Sequence, residues 1–497
     1  MFKWQKKFTN SFHTNSNQNK MKKIIYLAVG ALALFATSCK KETLDQGQKE
    51  LVTSSVVDTL KGDITVNTTV TKTTLLKGIV YVKPGVTLTV NPGVTIKGSA
   101  GVIDLVNLEN NKGTLVVEKG AKLVANGTAS APIIWTSNKT AGSRDFGDWG
   151  GIVILGNAPI ITTTGAAFNT FEAFTALPNT GLRNNYGGSV ANDNSGSMTY
   201  NRIDFAGGIV AAANREVNGL TLCGVGSGTT IKYVEVSNSG DDAFEFFGGT
   251  VNASYLISFG NKDDDYDFDE AYTGSLQFII AYRTNLADNS GSEMIELDNN
   301  ASAGVFGGKT LPFIANATLI GPASTVVRTI DGSGNTITGG RFDGAVYVRR
   351  AGLIRLANSL IIGQAFPTAF ASSPTTQAQL LLSPTAPGAS AVVNNLFQAN
   401  VDSTRVVQDA NESNPIVLAT TALNTALLTQ FGTYSNTFLA NFGAYKLGAA
   451  LQPLTGSPAL AGGMNLSAYG FVGTTQRGAV RTTDVWTAQP WISTATN

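Results

Sequence analysis

The feature that most constrains what this chain can fold into is the return of similar side chains at a fixed interval: Asp242 and Asp264, Glu245 and Asp267, and Phe246 and Phe268 each stand 22 residues apart. An interval of that size is one supersecondary unit, too small to bury its own apolar face, so it must stack on its neighbours. From about Gly62 onward, short β-branched segments alternate with Gly, Asn and Pro-Gly, and helical periodicity is nearly absent. Ile79-Val80-Tyr81-Val82-Lys83-Pro84-Gly85, Leu88-Thr89-Val90-Asn91-Pro92-Gly93 and Leu115-Val116-Val117-Glu118-Lys119-Gly120 each read as a strand closed by a turn. A sandwich or barrel also uses many short strands. Register at the scale of a whole coil favours an all-β chain wound as a right-handed parallel β-helix, whose stacked side chains lie about 4.8 Å apart. Phe244, Phe246, Tyr266 and Phe268 are the expected inner apolar column.

Two stretches break the rhythm. Residues 161–200, rich in Asn, Gly, Thr and Ser, read as an excursion inserted in one coil; residues 366–443 mix Ala, Thr, Ser and Pro, with a short helix expected at Thr421 to Phe431. Loops of this length are often functional or disordered. The expected layout is a signal segment over 1–38, a linker and N-terminal cap over 39–61, and a single β-helix domain over 62–497. Its end, Asp484-Val485-Trp486 and Trp491, is expected to cap the last coil and hide an open sheet edge that invites aggregation.

Lys22 and Lys23 precede an apolar run from Ile24 to Phe35 and then Ala36-Thr37-Ser38-Cys39. The run is too short to span a bilayer and reads as the core of a signal peptide. The first twenty residues are polar and aperiodic, which points to Met21 as the true start. The end of the segment resembles a bacterial lipoprotein signal, which implies that Cys39 follows the cut and receives the lipid. Ala36 departs from the usual Leu, but Thr37-Ser38-Cys39-Lys40-Lys41 is similar to lipoproteins of the Bacteroidota, and the basic residue after the cysteine implies the outer membrane. With Cys39 acylated, Cys223 is the one remaining thiol, and the one histidine, His13, lies before the cut. That removes an intrachain disulfide, a histidine-based triad, a His-ligated zinc site and a histidine general base. Cys223 sits in an apolar strand-like run and reads as a small core residue. Charge is nearly balanced, 35 Lys and Arg against 34 Asp and Glu, which argues against nucleic acid or an anionic membrane surface as the main partner.

The most informative stretches are Ser239-Gly240-Asp241-Asp242-Ala243-Phe244-Glu245-Phe246-Phe247-Gly248-Gly249 and Gly260-Asn261-Lys262-Asp263-Asp264-Asp265-Tyr266-Asp267-Phe268-Asp269-Glu270. Strand alternation puts Asp263, Asp265, Asp267 and Asp269 on one side, opposite Tyr266 and Phe268. The next coil adds Asp288, Glu293, Glu296 and Asp298. Carboxylates two residues apart in a strand are about 6.6 Å apart and repel by about 2.5 kcal/mol at an effective dielectric near 20. A bound cation, nearby Lys or Arg, or plain solvent must offset this, and hard oxygen donors without His or Cys suit Ca²⁺. The spacing is not that of an EF-hand. The expected calcium ligands are Asp241, Asp242, Glu245, Asp263, Asp264, Asp265, Asp267, Asp269, Glu293, Glu296 and Asp298; a solvated acidic face and catalytic carboxylates are the alternatives.

Residues 219–296 resemble a family of β-helix lipoproteins and secreted proteins of Gram-negative bacteria, within the pectate-lyase-like class. The shared words are Asn218-Gly219-Leu220-Thr221-Leu222, Val236-Ser237-Asn238-Ser239-Gly240-Asp241-Asp242, Phe244-Glu245-Phe246-Phe247-Gly248-Gly249-Thr250-Val251 and Asp263-Asp264-Asp265. Gly456-Ser457-Pro458-Ala459-Leu460 is similar to the last coil of pectate-lyase-like β-helices. The resemblance implies a fold and an envelope location more than an activity. The leading expectation is a non-catalytic, lipid-anchored outer-membrane protein, with surface exposure as its expected setting, stiffened by calcium, that binds glycan or serves an outer-membrane complex. Its rival is a polysaccharide lyase or glycoside hydrolase acting on acidic polysaccharide. A lyase of this class pairs Ca²⁺ with an Arg or Lys base, for which Arg283 and Lys262 are the candidates, though a surface ion-pair role suits them better. Asp241-Asp242 resembles a polygalacturonase pair without the accompanying histidine, and two carboxylates alone can hydrolyse a glycoside.

Overall fold

The computed structural model describes residues 58–493 apart from 163, 178–182, 213–214, 289–290, 300–307, 325–327, 331–335, 351, 364–369, 373–389, 399–405, 409–416 and 419–420. The signal segment, Cys39 and the linker up to residue 57 lie outside the described residues. The first strand, Asp58–Ile64, already pairs in parallel with Thr74–Val82, so regular coiling begins inside the segment expected to be linker and cap.

Successive coils lay strand on strand in parallel and build three walls of a right-handed β-helix. Wall A runs through Gly151–Leu155, Leu220–Cys223, Phe244–Phe247, Tyr266–Asp269, Ser292–Leu297 and Phe342–Val348. Walls C and B share the long strands Thr230–Ser237, Asn252–Phe259 and Ser275–Tyr282, whose first halves stack as wall C and second halves as wall B. Wall B continues through Thr318–Ile320, Leu360–Ile362, Leu396–Gln398 and Thr437–Leu439.

Each long strand bends in mid-course at one residue in the left-handed region: Tyr200, Tyr233, Tyr255 and Phe278, then Asn316, Asn358 and Asn394 in later coils, all with φ of 53–60°. Asn tolerates this conformation, whereas a β-carbon-bearing aromatic is strained in it. Stacking offsets the strain: the Tyr200 and Tyr233 rings, and those of Tyr233 and Tyr255, lie 4.4 Å apart. Inside the coil, Phe244 stacks on Tyr266 at 5.2 Å and Phe246 on Phe268 at 4.9 Å, all four fully buried as the 22-residue interval requires. At polar corners the same stacking joins amides: Asn395 Oδ1 accepts the Ser359 N–H, and Asn436 Oδ1 accepts the Asn395 N–H at 2.9 Å.

The excursion after wall A's strand Gly151–Leu155 folds back as a small antiparallel pair, Asn169–Thr170 with Asn185–Tyr186, around a short 3₁₀ helix, Glu172–Phe174. Phe171, Phe174, Leu177 and Tyr186 cover the outward side chains Tyr81, Val116, Val153, Leu155, Cys223 and Phe247. Cys223 is therefore buried outside the coil, under the excursion, and burial pushes its thiol up. The helix expected near Thr421 spans Thr421–Thr433. Residues 366–443 are less of an interruption than expected, because Phe370–Ser372, Ala391–Val393, Leu396–Gln398 and Thr437–Leu439 still extend the walls.

The C-terminal segment corrects the expectation of an end cap. Trp486 and Trp491 do not cover the open end; they pack against the side of the coil, with Trp486 5.4 Å from Tyr255 and Trp491 6.0 Å from Tyr233. Gly456-Ser457-Pro458-Ala459-Leu460 is not a coil but a short 3₁₀ helix, Pro458–Leu460, in this same strap. The reason lies in strand alternation, which turns Ile257, Ile280 and Leu360 of wall B outward, where Tyr445, Ala459, Val480 and Trp486 bury them.

Candidate metal centre on the acidic face

The parallel register of wall A sets carboxylate over carboxylate. Glu245 pairs with Asp267 and Asp267 with Glu296, so three outward positions of consecutive coils are acidic. One corner earlier, Asp242 Oδ1 accepts the Asp264 N–H at 2.9 Å, and Asp264 accepts the Glu293 N–H. Three groups bring carboxylate oxygens within 4.8 Å of one another: Asp241, Asp242 and Asp263; Asp242, Glu245 and Asp267; and Asp264, Glu293 and Glu296. Eight of the eleven expected ligands thus converge.

The other three go elsewhere. Asp265, expected on the acidic side, turns into the coil instead, where it accepts from Ser258 and lies 3.5 Å from Arg283, both partners' side chains fully buried. The two-residue alternation starts only with the strand Tyr266–Asp269; Asp265 still belongs to the corner. Asp298 is held by Arg349 at 2.8 Å and by Arg350, while Arg349 also meets Glu296 at 2.7 Å. Asp269 accepts the N–H of Glu270, whose own carboxylate takes hydrogen bonds from Tyr186 at 2.7 Å and Asn169 at 2.8 Å, both on the excursion. Asn218, Tyr186 and Arg349 were not legible as site residues, because each reaches the site across a coil whose length the sequence does not declare, and Ser258, seven residues before Asp265, was not because the corner between them turns Asp265 inward.

Electrostatics divides the face in two. Glu296 and Asp298 have arginine partners. Toward the earlier coils, burial, reinforced by neighbouring carboxylates, pushes Asp241, Asp242, Glu245, Asp264, Asp267 and Asp269 well above the usual carboxylate range, and Asp263 up to about 7. Asn218 donates to Glu245, and Lys262 is engaged by Asp288 at 2.9 Å. Oδ1 of Asp267 is shielded from solvent and accepts no hydrogen bond from the described residues. An all-oxygen set that includes an acceptor without a partner among the described residues could take a hard divalent cation such as Ca²⁺, with Asp242, Glu245 and Asp267 as the residues that would hold it.

Arg283, the candidate lyase base, is not the surface charge expected of it. Its side chain is fully buried, and its guanidinium donates to the backbone oxygens of Asp263 and Lys262. It braces the corner that presents the aspartates.

The family described as a pectate-lyase-like β-helix domain matches residues 59–441, most of the chain and all of the walls just described. The chain belongs to that family. No curated protein and no solved structure gave a match.

Proposed function

We propose that this protein is a non-catalytic lipoprotein of the bacterial outer membrane, anchored through Cys39, whose β-helix is stiffened by Ca²⁺ and serves as a surface for binding glycan or an outer-membrane complex. The observation that carries the reading is the group Asp242, Glu245 and Asp267, with oxygens within 4.8 Å and Asp267 Oδ1 unpartnered. A metal-free protein at neutral pH must hold protons on these groups or bear their repulsion, and a cation relieves both. Two points support a binding rather than a catalytic role: Arg283 is sealed in the interior, and Lys262 is engaged by Asp288. Among the described residues no helix is long and apolar enough to cross a membrane.

The test has three arms on purified protein: metal content, melting with and without chelator, and pull-down from the native membrane. Calcium at substoichiometric content together with a melt indifferent to chelator would sink the metal part. A second reading, cleavage of acidic polysaccharide, is favoured by Asp263, whose carboxyl, raised by burial to about 7, suits general acid–base work. Release of unsaturated, ultraviolet-absorbing sugars in calcium buffer would establish a lyase instead.

A further inference from the structure

Between two strands of the early coils, Thr95–Gly98 and Thr114–Val117, the chain leaves the helix as a loop that carries aliphatic side chains into solvent. Val106 is 94% exposed, Val102 69%, Ile103 47% and Leu105 40%. Four large aliphatics in five residues is a concentration that a water-exposed loop does not require.

The loop is built rather than loose. Asn111, almost fully buried, accepts the Asp104 N–H at 3.1 Å and donates back to its carbonyl, pinning the base. Asp104 then accepts the N–H groups of Val106 at 2.9 Å and Asn107 at 2.8 Å, and the Asn110 amide at 2.8 Å. The Val102 N–H bonds to the Asn110 carbonyl at 3.0 Å. Several polar groups are thus paired within the loop, while the hydrogen bonds from Asn107, Asn110 and Val106 hold the Asp104 carboxyl below the usual carboxylate range, so it stays charged and limits insertion to the aliphatic side chains at the headgroup boundary.

Its place says what covers it. Glu109, at the loop's end, pairs with Lys61 at 3.5 Å and Lys77 at 3.6 Å, in the first strand and the one stacked on it. The loop therefore sits at the coil nearest the chain's entry, and only 18 residues separate Cys39 from Asp58, at most about 60 Å of extended chain. We infer that Val102, Ile103, Leu105 and Val106 insert into the boundary between lipid headgroups and acyl chains, giving the β-helix a second membrane contact that fixes its tilt on the bilayer. The inference rests on the lipid-anchor reading for its setting. A lipid on Cys39 would fix the chain at one point and leave the β-helix free to pivot about its linker, which a second, modest apolar contact restricts. Attraction is to hydrocarbon, in keeping with the balanced charge of the chain.

The test uses residues 39–497 with Cys39→Ser, so that no lipid contributes, mixed with phosphatidylcholine vesicles. Co-sedimentation is expected, with roughly tenfold weaker partition for the Ile103→Ser/Val106→Ser variant. A Val106→Trp reporter is expected to shift its emission to the blue on adding vesicles, while Val472→Ser, at another exposed apolar site, changes nothing. No sedimentation and no shift would overturn the inference. So would binding that requires anionic lipid and ignores the double variant, or a dimer in solution that Ile103→Ser/Val106→Ser dissolves. Mass spectrometry of Cys39 in the native protein separates the two readings, since an unacylated Cys39 removes the anchor and leaves the vesicle result standing.

Discussion

The outward positions of wall A form one column, and its chemistry changes midway. In the early coils the column is Tyr81, Val116 and Val153, which the excursion carrying Phe171 and Phe174 buries, and then Thr221, which accepts a hydrogen bond from Asn218. In the next coils the same positions are Glu245, Asp267 and Glu296. The backbone spacing is identical, so the difference isolates what a β-helix does with like side chains stacked about 4.8 Å apart. Apolar groups in such a column reinforce one another once covered; carboxylates repel, and need a counter-charge from the protein or from solution. Arg349 supplies it for Glu296, whereas the group around Asp267 lacks such a partner among the described residues.

Four substitutions, with added calcium and a change of pH, sharpen that contrast. Phe174→Ala, at a fully buried ring 4.9 Å from Phe171, should lower unfolding stability in urea by about 3–5 kcal/mol. A loss below about 1 kcal/mol would mean the excursion does not seal the apolar half. Saturating Ca²⁺ should raise stability by about 2.7 kcal/mol at a hundredfold excess over its dissociation constant. Asp267→Asn should abolish that rise while stabilising the chelated protein, and equal responses of wild type and variant would remove Asp267 from the site. Arg349→Met leaves Glu296 without its partner and Asp298 with Arg350 alone; because the arginine is partly exposed, the expected loss is about 1–3 kcal/mol, and added Ca²⁺ should recover part of it.

The smallest effect lies on wall B. There burial raises Asp204 to about 7, against the pull of Arg202 at 3.9 Å. Its folded pKa stands above its unfolded one, so its contribution is complete below about pH 4 and is lost as pH rises through about 7. Asp204's share of stability should fall by roughly 1 kcal/mol between pH 6 and 8, so Asp204→Asn should lessen the protein's loss over that interval by this amount, the carboxylates of wall A keeping theirs.

Phe246 and Phe268, like Glu245 and Asp267, could be matched by eye because the coil between them has no insertion. The next step is 29 residues, from Asp264 to Glu293, and no internal repeat marks it. The Asp263-Asp264-Asp265 run was misleading in one member, since strand alternation does not extend through a corner and Asp265 turns toward Ser258 and Arg283. Trp486 and Trp491 were legible as covering residues, but the surface they cover was not.

Local sequence by itself determined the strand–turn rhythm, the stacking of one coil on the next and the sign of charge on the acidic face, because these depend on side-chain period and on neighbours one regular turn away. Only the tertiary structure decided which carboxylates have arginine partners, which one turns inward, and which walls the excursion and the C-terminal strap cover. Those outcomes depend on contacts between residues separated by coils of irregular length, and the energy of such a contact is written in distance rather than in sequence spacing.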